Sequence, residues 1–213
     1  LLSAGFLTYT FVTLLAMINP IEAAGAFETL TSRNTVAEQR KIALRATIYA
    51  AVILVGFGIA GNALLEALGI SIQAFKIAGG ILLFKVGFDM VFAEQQADDS
   101  AAETENAAAK PSPDPSVFPL AIPIISGPGA LTAIVTLFGR VHGFTGGHLA
   151  IIAIALVVFA ITYVTMIGAH QLTRALGTSG IDALGRIIGI IVAAIAIQLV
   201  IDGVGEITKS AIH

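Results

Sequence analysis

Apolar residues in this chain fall into long runs separated by short polar or glycine-bearing breaks, and the runs have the length that a bilayer sets. A spanning helix takes roughly 20 predominantly apolar residues, and on that measure the pattern predicts six spans. The first covers Ser3 to Thr31 and is interrupted at Asn19-Pro20, where a residue without an amide hydrogen breaks a continuous helix. The second begins at Thr35-Val36-Ala37-Glu38, which matches a capping box, and is expected to end near Ala60. The third is expected over Ile72 to Ala93. Residues 94–115 then turn acidic, alanine-rich and proline-rich, the composition of a flexible solvated linker. The fourth span, Ser116 to Gly139, is broken at Ser126-Gly127-Pro128-Gly129; the fifth runs from Gly147 to His170 and the sixth from Asp182 to Val204. The first apolar run lacks a basic leading segment and a small-residue cleavage site, so it reads as a span rather than a signal peptide.

The two breaks belong to one pattern. Moving the second half back by 108 positions sets Pro128 on Pro20 and Ala175-Leu176-Gly177-Thr178-Ser179 on Ala67-Leu68-Gly69-Ile70-Ser71. Two further residues in the second copy then set Arg186 on Lys76 and Gly189 on Gly79. Short matches of glycine, alanine and leucine recur by accident in membrane sequences, but a shared offset at both ends favours a repeat. Three spans per copy force the second copy to enter the membrane from the opposite side, as in secondary transporters. The expectation is therefore an all-α membrane protein of six transmembrane helices. Residues 1–93 form the first three-helix repeat, 94–115 the linker and 116–213 the second, inverted repeat, with discontinuous first and fourth helices.

Composition agrees with lipid as the solvent. Of 213 residues, 56% are hydrophobic and 12% charged, and the mean hydropathy is +0.92, too apolar for an ordinary soluble domain. A net charge of −3 without a basic patch offers no footprint for nucleic acid. The lack of cysteine removes disulfides, thiolate metal sites and cysteine nucleophiles. Loop charge orients the chain. With the N-terminus outside, inner loops hold Arg33, Arg40, Lys41, Arg45, Lys110 and Arg174, against Arg140 and Lys209 outside, so both termini are expected outside.

The chemistry is expected at the breaks. A half-helix starting at a proline leaves its first amides unpaired, with the positive end of its dipole facing the break. The donors would be the amides of Ile21, Glu22 and Ala23 in the first repeat and of Gly129, Ala130 and Leu131 in the second. Inversion turns both termini toward the bilayer centre, while the carbonyls ending the preceding half-helices suit a cation, so a zwitterion fits both. Asn19, Pro20, Glu22, Ala23, Ser126, Gly127, Pro128, Gly129, Ala130 and Thr132 are the candidate binding residues, and their small side chains imply a small pocket. One break alone would read as a proline kink relieved by its neighbours; two symmetric breaks favour a site.

These residues also resemble a known family. Ile18-Asn19-Pro20-Ile21, the run Phe75-Lys76-Ile77-Ala78-Gly79-Gly80-Ile81-Leu82-Leu83, Asp89-Met90, Pro119-Leu120-Ala121-Ile122-Pro123 and Gly127-Pro128-Gly129-Ala130-Leu131-Thr132 resemble the MarC family, over nearly all the chain outside the linker. The resemblance implies kinship with the lysine-exporter superfamily and transport of small neutral amino acids such as glycine, alanine, serine and threonine. Export across the bacterial inner membrane without a cofactor is the expectation; the family's drug-resistance name does not imply drug transport. Where the family usually has glycine after Asn-Pro-hydrophobic, this chain has Glu22.

A carboxylate within the membrane needs a partner. Lys85 and Asp89 lie in the third span, at i and i+4 on one face. Either they pair with each other and anchor the helix, or Glu22 exchanges between Lys85, a coupling proton or sodium ion, and the substrate ammonium. Lys76 and Arg186 read as interfacial anchors. An intramembrane enzyme is the alternative class, but Gly-x-Ser-x-Gly and His-Glu-x-x-His are missing, and an aspartyl pair of Asp89 and Asp202 would join two helix ends. His142 and His148 flank a glycine-rich loop without an acidic cluster, so no metal site is expected. A passive channel is the third class.

Overall fold

The structure is a computed structural model and describes residues 3–92, 114–141 and 145–212. Most of the 94–115 linker, and His142 with it, therefore lies outside the described residues. Every described element is helical.

Helix α1 (Ala4–Ile18) starts where the Ser3 hydroxyl accepts from the Phe6 amide at 3.1 Å. It stops at Asn19, whose φ of 47° and ψ of 75° lie in the left-handed region that only asparagine and aspartate visit readily among non-glycine residues. Pro20 then opens α2 (Pro20–Thr31) at the first helical position, where its missing N–H costs no hydrogen bond. The capping box at Thr35 and Glu38 starts α3 (Val36–Ala67) as expected, but the helix continues past Ala60. Gly58 and Gly61 do not break it; a Cβ at either would run into Phe138 or Val135, so these glycines admit a neighbouring helix. The stop comes at Gly69, with φ +68° and the Ile70 amide donating back to the Leu65 carbonyl at 2.9 Å. Ser71 caps α4 (Ile72–Val91).

The fourth span departs from expectation. Its first part, α5 (Ser116–Ile125), is wide and irregular, with bonds such as Ser126 N–H to the Ala121 carbonyl at 2.9 Å and extended backbone at Phe118 and Ile122. Pro119 and Pro123 follow those two residues, and a residue before proline is pushed out of the helical region. Asp114 tethers the start, accepting from the Ser116 amide at 3.0 Å and hydroxyl at 2.6 Å, which holds its carboxyl below the usual aspartate range. After a bend of 60° comes α6 (Pro128–Arg140). Then follow α7 (Thr145–Ile167) and α8 (Ala169–Ile212), the latter interrupted at Gly177 by φ 68° and ψ 170°. Gly69 and Gly177 are thus the two positive-φ glycines among the described residues, 108 positions apart.

By length and composition four helices can cross a bilayer: Ala4–Thr31 taken through its break, Val36–Ala67, Gly146–Ile167 and Ala183–Thr208. The bent pair α5 and α6 makes a fifth. The remaining expected span, the third, is α4; it has the necessary 20 residues but carries Lys76, Lys85 and Asp89, so it does not qualify by composition. Val52, Ile59, Leu149, Val164 and Ile190 all point outward, as side chains do when lipid surrounds them.

Helix α6 lies at the centre, with Gly129, Ala130 and the whole stretch from Thr132 to Phe138 buried. Around it, α1 and α2 pack on α7, while α5 and α6 pack on α3. Similarly α2 packs on α8, α6 on α4, α1 on α6 and α2 on α5. The largest interface joins α4 to α8. These two run antiparallel: Lys76 meets Glu206 at one end and Gly87 meets Gly189 at the other. Glycine permits the approach, because a Cβ on Gly87 would lie 2.7 Å from the Ala193 nitrogen and 2.8 Å from the Gly189 oxygen.

That contact is backbone against backbone and cannot yield by a rotamer change. Gly87→Val should lower stability by about 1–3 kcal/mol or more, measured by thermal unfolding in detergent. Gly56→Ala, which meets nothing within 4 Å, should instead gain about 0.5–1 kcal/mol from helix propensity. Equal effects at the two positions would contradict the packing described.

Candidate functional site

At the first break Asn19 and Glu22 hold each other. The Asn19 Oδ1 accepts from the Glu22 amide at 3.4 Å, and Asn19 Nδ2 donates to Glu22 Oε2 at 2.9 Å. Asn19 thus caps α2 through its side-chain oxygen, while its side-chain amide, rather than its backbone N–H as in a capping box, holds the Glu22 carboxylate. The Ala23 amide donates to the Asn19 carbonyl at 3.1 Å. Two of the three amides expected to face a ligand, those of Glu22 and Ala23, are therefore engaged within the protein. Asn19 and Ala23 are buried, whereas Glu22 is exposed. Thr165 of α7 donates to the Pro20 carbonyl at 3.3 Å and fixes the break from the other half of the chain.

The second break is built differently. Gly127 precedes α6 and brings no side-chain cap. The Leu131 amide returns to the Gly127 carbonyl at 3.1 Å. Ser126, buried, donates to the Ala50 carbonyl of α3 at 3.1 Å, and Thr132 donates to the Pro128 carbonyl at 2.9 Å. Both expected ligand hydroxyls thus have protein acceptors. The glycines have packing reasons too: a Cβ on Gly127 would lie 2.8 Å from the Pro123 carbonyl oxygen, and one on Gly129 would meet Leu83 and Met17.

Helix α4 brings the breaks together. Gly79 faces Thr132, Leu83 faces Gly129, and Met90 lies 3.7 Å from Asn19 Nδ2. Met17, two residues before the first break, reaches the same Gly129. The side chains of Met17 and Leu83 thus both pack on Gly129 at the second break, and Met17 links it to the first.

Of the two readings of the third span, the geometry has the pairing of Lys85 with Asp89. Lys85 pairs with Asp89 along its own helix, and the pair is exposed, with 73% of the Lys85 side chain accessible. Glu22 takes Asn19 instead, a nearer partner supplied by its own helix cap. Lys76 is not an interfacial anchor either. It is 5% exposed and donates to both Glu206 oxygens, at 2.7 and 2.8 Å. His148 belongs to α7, stacked on Phe138 with ring centroids 5.0 Å apart.

The sequence reading passed over two further contacts. Arg140 pairs with Asp202 at 3.0 Å and lies 5.0 Å from the Tyr9 ring centroid, so it joins α6 to α8 and α1. Glu28 of α2 meets His170 of α8 at 3.3 Å. Each joins residues far apart in the chain, and no local spacing signals such a pair.

Apolar helices facing outward, and two helix breaks meeting inside, define a multi-pass integral membrane protein. The chain belongs to the MarC family of integral membrane proteins, whose pattern matches residues 4–208. A UPF0056 membrane protein of Methanocaldococcus jannaschii is 37% identical over 91% of this chain and 93% of its own length. A relative from Aquifex aeolicus is 35% identical over 93% and 92%. The inner membrane protein MarC of Citrobacter koseri is 30% identical over 93% and 94%. No solved structure matches the chain.

The left-handed Asn19 gives a local test. Asn19→Ala should lose the cap, worth about 0.5–2 kcal/mol, and strain the backbone as well; Asn19→Gly should lose the cap alone. Thermal unfolding in detergent should rank parent above glycine above alanine, and an alanine variant as stable as the glycine one would contradict the geometry.

Proposed function

We propose that this MarC protein is a secondary transporter exporting small neutral amino acids of the glycine, alanine, serine and threonine class, with both termini outside the inner membrane. In this reading α4 is the third of six passes despite its charges, and the two halves are inverted repeats. Several features support it. Exchanging α1 with α5, α2 with α6, α3 with α7 and α4 with α8 turns most of the packed pairs into one another, α1 on α8, α6 on α7 and α7 on α8 being the exceptions. Gly69 and Gly177 share φ 68° at the expected offset, and α4 and α8 run antiparallel as inversion requires.

The observation that carries the proposal is the meeting of two unlike helix breaks. The first half-helix already holds a carboxylate, Glu22, near its N-terminus. The second has no side-chain cap. A substrate carboxylate is favoured at the second, on the Gly129 and Ala130 amides, and the ammonium beside Glu22. Met17 and Leu83 must move aside for it, which suits a protein that alternates between states. A proton or sodium ion is the coupling partner proposed for Glu22.

An enzyme would need a nucleophile beside a base or two convergent carboxylates. Asp89 and Asp202 each bond to a cation, Lys85 and Arg140, and they lie toward opposite ends of the helix pair α4 and α8, where Gly87 meets Gly189 and Gly203 meets Ile77. A passive channel would show neither saturation nor counterflow.

Protein reconstituted in liposomes should show counterflow of radiolabelled glycine, alanine or threonine that responds to an imposed pH or sodium gradient. Glu22→Gln, which keeps the shape and loses the charge, should cut gradient-driven uptake by about tenfold or more, the equivalent of one charge-assisted hydrogen bond. Native transport by Glu22→Gln, with unchanged ion dependence, would remove Glu22 from the mechanism; lack of any counterflow in the parent would remove the proposal.

A further inference from the structure

A cleft of about 400 Å³ opens where the end of α2 and the start of α3 meet the junction of α7 and α8. That is within the range of roughly 300–1,000 Å³ typical of small-ligand sites. Its floor is apolar, with Phe27 and Ile167, and its rim carries Glu28, Ser32, Arg40 and His170. One carboxylate and one guanidinium therefore line the same space. Arg40 makes no ion pair among the described residues, while Glu28 is held by His170 at 3.3 Å.

Helix stability does not account for these charges. Glu28 lies in the last turns of α2, where the helix dipole disfavours an anion, and Arg40 in the first turns of α3, where it disfavours a cation. Nor does the repeat account for them. The positions 108 residues away are Thr136 for Glu28, Arg140 for Ser32 and His148 for Arg40, with Asn62 for His170. At that opposite end Arg140 crosses to Asp202 and Tyr9, and His148 stacks on Phe138. One end of the molecule is tied shut by its side chains; the other holds an open, charged cleft.

We infer that this cleft is a second binding site, outside the pair of helix breaks, for a small zwitterion: Arg40 takes the carboxylate, and Glu28 takes the ammonium in exchange for its contacts within the protein, that to His170 among them. The inference deepens the transport proposal by giving the substrate a first station on the face that, by the distribution of basic residues, is cytoplasmic. An ion pair of guanidinium and carboxylate selects for the ligand's carboxylate through two parallel hydrogen bonds, and the glutamate excludes ligands without a cationic group.

The chain has no cysteine, so Ser32→Cys places a single thiol in the cleft of the full-length protein. Its alkylation by a water-soluble maleimide should slow at least severalfold in the presence of glycine or threonine. Lactate, which lacks the ammonium, and alanine methyl ester, which lacks the carboxylate, should give no protection. Adding Glu28→Gln or Arg40→Gln should abolish the protection, while Thr132→Val at the second helix break should leave it in place. In liposomes the same two cleft variants should raise KM with kcat nearly unchanged, the mark of lost ground-state binding. Labelling that is indifferent to the zwitterions, or protection that survives both charge removals, overturns the cleft site even if transport is present. Protection without counterflow keeps the cleft and overturns the transport reading on which its role rests.

Discussion

Inside a bilayer every backbone amide and carbonyl must find its partner within the protein, and this one requirement organises the molecule. It is met without difficulty along α3 and α7, which run unbroken. It is tested where the chain interrupts itself, at Asn19-Pro20 and at Ser126 to Pro128. There the surroundings supply what the helix cannot. Asn19 caps α2 with its own side chain, Thr165 of α7 reaches the Pro20 carbonyl, and Ser126 reaches the Ala50 carbonyl of α3. The Thr165 and Ser126 contacts cross between the halves, so each break draws one contact from α7 or α3 of the other half. The two halves are thereby interlocked.

The same dependence explains why α6 is buried on every side. A half-helix ending near the middle of a membrane cannot present its terminus to lipid, so it is wrapped by α1, α3, α4 and α7. Close wrapping needs small residues, and these are where the helices touch: Gly58 and Gly61 of α3 toward α6, Gly79 of α4 toward Thr132, and Gly87 of α4 toward α8. Without water to drive helices together, such contact is a principal source of cohesion.

These causes separate what was legible in the sequence from what was not. The breaks were legible because proline and its neighbours act locally, and the capping box at Thr35 because it needs only four residues. Gly69 and Gly177 were legible as a pair because a shared offset is a property of the sequence alone. The end of α3 was misplaced because Gly61 resembles a terminus and is in fact a packing surface, and only a partner helix distinguishes the two. The irregular α5 hid behind apolar composition, although Pro119 and Pro123 mark it. At the candidate site, the residues were found but their partners were not. Glu22 has an asparagine three positions away, which local reasoning could have paired with it; Lys76 with Glu206, and Arg140 with Asp202, required the packing of α8.

The distribution of charge follows from the same packing. Helix α4 fails as an ordinary span because of Lys76, Lys85 and Asp89, yet it is the helix that passes both breaks and forms the largest interface. Its ionisable groups take two solutions. Lys85 and Asp89 neutralise one another on an exposed face. Lys76 cannot do so, because its side chain is enclosed; it is held by both oxygens of Glu206, whose own side chain is 43% exposed. A buried lysine paired with a half-exposed carboxylate keeps most of the solvation of one partner while satisfying the other, which lowers the desolvation cost that makes fully buried pairs poor stabilisers. Glu206 and Asp202 lie one turn apart on α8, and together they tie that helix to α4 and α6 at the end opposite the open cleft. Lys76 with Glu206, and Glu28 with His170, thereby join one half to the other, while the outward-facing apolar positions are aliphatic and aromatic.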